Sequence, residues 1–197
     1  MFPLRDDVPS RRFPLVTVSI VVVNVVVFLF QVLAGPAATS IAELFGIVPA
    51  RITTQWQNPL VLLTLFSSMY LHGGWAHLIG NMWYLWVFGD NVEDRMGRGR
   101  FFIFYTLCGL VAGSLQIIAA PRSTIPMIGA SGAIAGVLGA YLLLFPRARV
   151  RTLVPLFLFI RIVWLPAIVV LGGWFVIQLL NGLASLNVVV QTGGVAW

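Results

Sequence analysis

The 197-residue chain has no lysine, one cysteine, two histidines and six acidic residues. Each scarcity excludes something. Cys108 alone forms no internal disulfide and no Cys-based zinc site. Charged residues make up 9% of the chain, where a soluble domain carries about a quarter, so an ordinary water-soluble enzyme is excluded. A hydrophobic content of 59% excludes a disordered chain, which is polar and short of aromatics. The twelve basic residues are all arginine and leave a net charge of +6. Nucleic-acid sites need such residues clustered on one solvated face. Here they fall in short groups between long uncharged runs, which makes the lipid bilayer the expected partner and excludes nucleic acid.

Residues 13–42, 52–89, 101–121, 123–146 and 162–197 hold no Asp, Glu, Lys or Arg. A helix needs about 20 apolar residues to cross a hydrocarbon core roughly 30 Å thick. The expected fold is therefore all-α, a polytopic transmembrane helix bundle. It has an N-terminal segment 1–14 and a membrane domain 15–197. The first span runs from Leu15 to Leu33, between Pro14 and Gly35-Pro36, and is too long for a secretory signal. The second begins at Trp75, after the break at His72-Gly73-Gly74, and ends near Phe88. The third is Phe101–Ala120, the fourth Ser131–Phe145 and the fifth Ile162–Leu180, with Pro155–Arg161 at an interface. A sixth apolar segment starts at Gly193.

Arg5, Arg11 and Arg12 precede the first span. Arg95, Arg98 and Arg100 follow the second, and Arg147, Arg149 and Arg151 the fourth, while the alternate loops hold only Arg51 and Arg122. The positive-inside rule then places the N-terminus in the cytoplasm. Residues 34–71 fall outside, on or in the outer leaflet, with Trp56 and Trp75 as interfacial aromatics.

Depth singles out three polar residues. Ser131–Phe145 reaches only roughly 22 Å at 1.5 Å per residue, which sinks Ser131 about 8 Å below the outer surface. Residues 121–130 must then dip into the membrane, and irregular backbone survives there only where protein buries it or water fills a cavity. A wet pocket with a serine at a helix N-terminus is expected. His77 lies thirteen residues before Asp90, and Asn81 shares its helix face. Polar side chains at that depth mark a functional interior by default, although interhelical hydrogen bonding is the plainer use of a lone His/Asn pair. Gly132, Gly136 and Ala140 on span four, and Gly109 and Gly113 on span three, form small-residue ridges for close helix packing. With no sixth helix, the span-four ridge is expected to face lipid.

These residues carry a family resemblance. Gly129-Ala130-Ser131-Gly132 resembles the G-x-S-G nucleophile motif of rhomboid intramembrane serine proteases. His72-Gly73-Gly74-Trp75-Ala76-His77-Leu78-Ile79-Gly80-Asn81-Met82 resembles that family's second-span signature. The Glu93-Asp94-Arg95 turn with Gly97 and Gly99 is similar to its next cytoplasmic loop. Pro146–Val150 and Trp174–Gln178 are similar to its later segments. The resemblance implies a six-helix core and cleavage of single-pass membrane proteins in or near their transmembrane segments, without metal or cofactor. It implies Ser131 as nucleophile, and the Ser131 N–H, His77 and Asn81 as oxyanion donors. His72 is implied as a brace, with Gly129 and Gly132 as structural supports. It also implies a multi-pass protein of a bacterial-type plasma membrane.

Two departures stand out. The family's base histidine sits in an Ala-His motif on the sixth span, and Gly193-Gly194-Val195-Ala196-Trp197 looks like the approach to it. A serine without an adjacent base is a poor nucleophile, so the chain as written is expected to be C-terminally truncated and inert. Ala135 stands where family members often carry an aromatic against the base. A rhomboid-like pseudoprotease, binding transmembrane clients without cutting them, is the alternative. A transporter would show repeated halves or intramembrane charges. A soluble hydrolase would need G-x-S-x-G, and position 133 is alanine.

Overall fold

In the computed structural model, residues 1–156 and 159–188 are described. The chain forms strand β1 (Phe2–Asp6), helices α1 (Leu15–Leu33), α2 (Ala38–Phe45), α3 (Pro49–Thr54), α4 (Pro59–Ser67), α5 (Trp75–Met96), α6 (Arg98–Ala119) and α7 (Ser131–Leu144), strands β2 (Arg149–Leu156) and β3 (Phe159–Pro166), and helix α8 (Ala167–Val188). By length and composition, α1 and α6 suffice to cross a membrane, and α4 with its following turn, α7 and the first part of α8 are shorter apolar helices.

The start of α1 after Pro14 and its end before Gly35-Pro36 follow from the helix-breaking chemistry at both ends. A buried carboxylate fixes its N-terminus. Glu93 on α5 accepts from the Val16 N–H (3.0 Å), the Thr17 N–H (2.7 Å) and the Thr17 hydroxyl (2.8 Å). Those are the unpaired donors of a first helical turn, and the negative charge meets the positive end of the dipole. Glu93, Asp94 and Arg95 thus belong to the last turns of α5, not to a loop. The chain reverses into α6 at Gly97, whose φ of +83° is a left-handed conformation that favours glycine.

Helices α1, α5, α6 and α7 share one core, in which Leu85, Phe88, Phe101, Tyr105, Ile134, Leu138 and Tyr141 are fully buried. The α7 ridge faces α6, and this overturns the expectation that it faces lipid. A Cβ on Gly132 would lie 2.4 Å from the Ala112 Cβ, and one on Gly136 would meet Cys108 Sγ. Gly109 and Gly113 serve another contact. They admit Met69 and Ile47, from the segment between α1 and α5.

The fold is not purely helical. β1, β2 and β3 form an antiparallel sheet in that order at the arginine-rich end, with Phe2 opposite Leu153 and Arg149 opposite Pro166. The expected fifth span from Ile162 is corrected accordingly: residues 159–166 are strand, and the helix starts at Ala167. The physical reason lies in the residues. Val150, Thr152 and Val154 alternate with Arg151 and Leu153, a period-two pattern of β-branched residues, and Pro155 and Pro166 resist a helix interior. Asp6 ties the sheet to the helices, accepting from the Asn91 amide (2.8 Å) and the Tyr141 hydroxyl. Burial lifts its carboxyl to about 6. The segment from Gly193 to Trp197 lies outside the described residues.

Candidate active site

The segment between α1 and α5 creates the setting. Helices α2, α3 and α4 are short, and the loop ahead of α7 leans on them. Ile47 and Met127 exchange both backbone hydrogen bonds (3.0 and 2.8 Å), and the Ala50 N–H donates to the Ser123 carbonyl (3.0 Å). The Gly129 N–H donates to the Ser68 carbonyl (2.9 Å). Protein groups therefore satisfy the irregular backbone at Ser123, Met127 and Gly129, as unpaired amides in an apolar surrounding require.

Gly129 sits at φ +128°, a conformation that L side chains rarely adopt. A Cβ there would lie 2.7 Å from His77 Nε2, 2.8 Å from His77 Cε1 and 3.8 Å from Asn81 Nδ2. The turn that leads into Ser131 thus lies directly against the polar face of α5.

On that face the histidines and the asparagine form one cluster. The His72 and His77 rings are 5.0 Å apart, edge to face. Asn81 Nδ2 lies 3.1 Å from His72 Nε2. An amide nitrogen only donates, so His72 Nε2 accepts. The Gly73 N–H approaches His77 Nδ1 at 3.5 Å, which assigns Nδ1 as acceptor and leaves the proton of the neutral ring on Nε2, the atom facing Gly129. Gln31, from the far end of α1, clamps the backbone of His72. Its Oε1 accepts from the His72 N–H (3.0 Å) and its amide donates to the His72 carbonyl (3.3 Å). His72, Asn81 and Gln31 are all buried, at 2%, 5% and 5% exposure.

Ser131 opens α7 and is half-buried. No side chain caps this helix, in contrast to α4, where Asn58 accepts from the Leu60 N–H. The first-turn amides of α7 therefore remain as donors. Ser131, Gly129 and Gly132 line one cavity of about 160 Å³, with Ser68 and Gln116 among its polar walls.

Sequence reasoning missed Gln31 and Ser68. Gln31 carried a signal, as a polar residue near the end of an apolar span, whereas Ser68 holds Gly129 through its carbonyl, which no side-chain pattern announces.

Comparison with known proteins bears on the same residues. Residues 59–197 match the Rhomboid domain. The chain is 34% identical over 117 residues to Rhomboid protease GluP of Bacillus subtilis, covering 58% of this chain and 21% of that protein. It is 36% identical over 93 residues to Rhomboid protein 1, mitochondrial, of Saccharomyces cerevisiae, covering 45% of this chain and 27% of the relative. A third relative, Putative rhomboid protease YdcA of Bacillus subtilis, is 27% identical over 116 residues, covering 54% of this chain and 58% of its own length. The alignments thus span less than two thirds of each relative. The matched domain takes in all of α5, α6 and α7, the α5 cluster and the Ser131 turn included, and on that match this chain belongs to the rhomboid family.

Proposed function

We propose that this chain carries the nucleophile and the oxyanion site of an intramembrane serine endopeptidase. The observation that supports it most is the close approach of left-handed Gly129 to His77 and Asn81, which brings the α7 N-terminus to the polar face of α5. In this reading Ser131 Oγ attacks the scissile carbonyl. The oxyanion that forms is held by the Ser131 N–H, His77 Nε2–H and the Asn81 amide. Preorganised donors aimed at such a charge are typically the largest catalytic contribution, and the dipole of α7 adds to them. His72 positions Asn81 by accepting one of its protons. Gly129 leaves room for His77, and Gly132 lets α7 lie on Ala112.

The substrates are single-pass membrane proteins cut in or near their transmembrane segments. α1, α5, α6, α7 and α8 are the five spans, with the N-terminus and both arginine-rich loops in the cytoplasm. Both histidines of the chain belong to the α5 cluster, so neither is assigned as base to Ser131. The test compares purified residues 1–197 with a form continuing beyond Trp197, each incubated with a transmembrane reporter. With both histidines assigned to the oxyanion site and its brace, residues 1–197 alone are expected to keep only residual cleavage. Cleavage by residues 1–197 that Ser131→Ala abolishes would overturn the assignment of the histidines. Failure of the longer form to cleave would favour a client-binding protein that does not cut.

A further inference from the structure

A second cavity lies away from Ser131, between α1 and the overhanging α2 and α4. It has a volume of about 730 Å³. Val16, Val23 and Val27 form its back wall, and Ile41, Phe45 and Phe66 roof one end. Its exposed lining is almost wholly apolar, with Ser19, Gln31, Ser67 and Tyr70 as its polar residues. Leu15, Val23, Phe30 and Phe45 are exposed along it, so it is an open groove, and within a bilayer a hydrocarbon chain is the matching occupant.

The direction of entry follows from the fold. α2 and α4 close the end near Phe30, whereas Leu15 and Phe102 lie at the opposite end. Phe102 stands one helical turn beyond Arg98, and Leu15 three residues beyond Arg12. Arg12 and Arg98 are exposed and share a second hollow with Phe13, Pro14, Gly97 and the two acids Glu93 and Asp94. In the sequence Arg11, Arg95 and Arg100 flank these residues, so the two stretches carry five arginines against two acids. Both carboxylates are already engaged, Glu93 by the first turn of α1 and Asp94 by the Arg11 N–H. One Nη2 of Arg98 donates to the Phe13 carbonyl (3.3 Å), and its guanidinium has further donors for a phosphate.

We propose that this cleft binds one anionic phospholipid, with an acyl chain against Val23 and Val27 and the headgroup phosphate on Arg12 and Arg98. The inference rests on the membrane placement given above but not on catalysis. The test therefore reads bound lipid, so its failure is separate from a failure to cleave.

The protein is reconstituted in nanodiscs of equal phosphatidylglycerol and phosphatidylcholine, and lipid retained on release is counted by native mass spectrometry. One retained lipid per chain is expected, with phosphatidylglycerol favoured about thirty-fold by two arginines. The pair Arg12→Gln and Arg98→Gln should remove the preference yet keep a lipid. Val23→Trp or Ser19→Trp should fill the cleft and abolish retention. Val176→Trp, on the exposed face of α8, should leave retention unchanged. Equal retention of the two lipids by the unaltered protein, or undiminished retention in a Val23→Trp or Ser19→Trp protein that still unfolds cooperatively, would overturn the proposal.

Discussion

Gly129→Ala is expected to lower kcat in a cleaving form of this protein by about 100-fold or more, with the helices retained. The substitution asks an L residue to hold φ +128° and puts a methyl group 2.7 Å from His77 Nε2. The ring has to move or the turn has to open. Either way the donor atom leaves the position from which it would meet the oxyanion, and loss of one such donor typically costs about 10²–10³ in kcat. Gly80→Ala provides the comparison. It lies on α5, three residues from His77, and its added Cβ meets nothing within 4 Å. It should leave kcat within about threefold, since the change is a small helix-propensity effect. Reporter cleavage by the two variants checks this, and equal rates would show that the contact between Gly129 and His77 has no catalytic consequence.

Glu93→Ala should give the largest loss of stability of any single change away from the core. Its carboxylate is 3% exposed and accepts three hydrogen bonds from the first turn of α1. Alanine would strand two N–H groups and a hydroxyl. Each unsatisfied buried donor costs roughly 1–3 kcal/mol, and the charge–dipole interaction adds roughly 1 kcal/mol. A loss of about 3 kcal/mol or more is expected in denaturant unfolding of the solubilised protein. Glu93→Gln keeps one acceptor oxygen but sets an NH2 group against a remaining N–H donor, so it should recover only part of that loss. A loss below about 1 kcal/mol for Glu93→Ala would mean that α1 docks on α5 by apolar contact alone.

How much of this arrangement was legible in advance depended on whether the determinant was local. α1 starts and ends at the expected residues because Pro14 and Gly35-Pro36 act within a turn of the boundary. α7 starts at Ser131 for a similar reason: Gly129 breaks the chain just before it. The depth of Ser131 also foretold that residues 121–130 would be irregular, which they are, with protein partners at Ser123, Met127 and Gly129. The strands β2 and β3 were legible in principle, but the absence of charge after Arg161 resembled a span more than the β-branched alternation resembled a hairpin. Pairings across the fold were not legible. Gln31 meets His72, Glu93 meets Thr17 and Asp6 meets Tyr141 over separations of 41, 76 and 135 residues, and hydrophobic periodicity carries no information about such partners. The α7 ridge makes the same point, since its existence was local whereas its facing α6 was a property of the assembled bundle.

The central claim is that Ser131 is the nucleophile of a serine peptidase, and it is tested most directly by alanine at two serines of the same irregular region. Ser131 lines the cavity, whereas Ser123 lies eight residues before it in the irregular segment and accepts from the Ala50 N–H through its carbonyl. Initial rates of transmembrane-reporter cleavage are measured for the form continuing beyond Trp197, unaltered and with each substitution. Ser131→Ala is expected to reduce cleavage to background, with thermal unfolding unchanged within a few degrees, and Ser123→Ala to retain most of the rate. Cleavage that survives Ser131→Ala at a comparable rate would contradict the account.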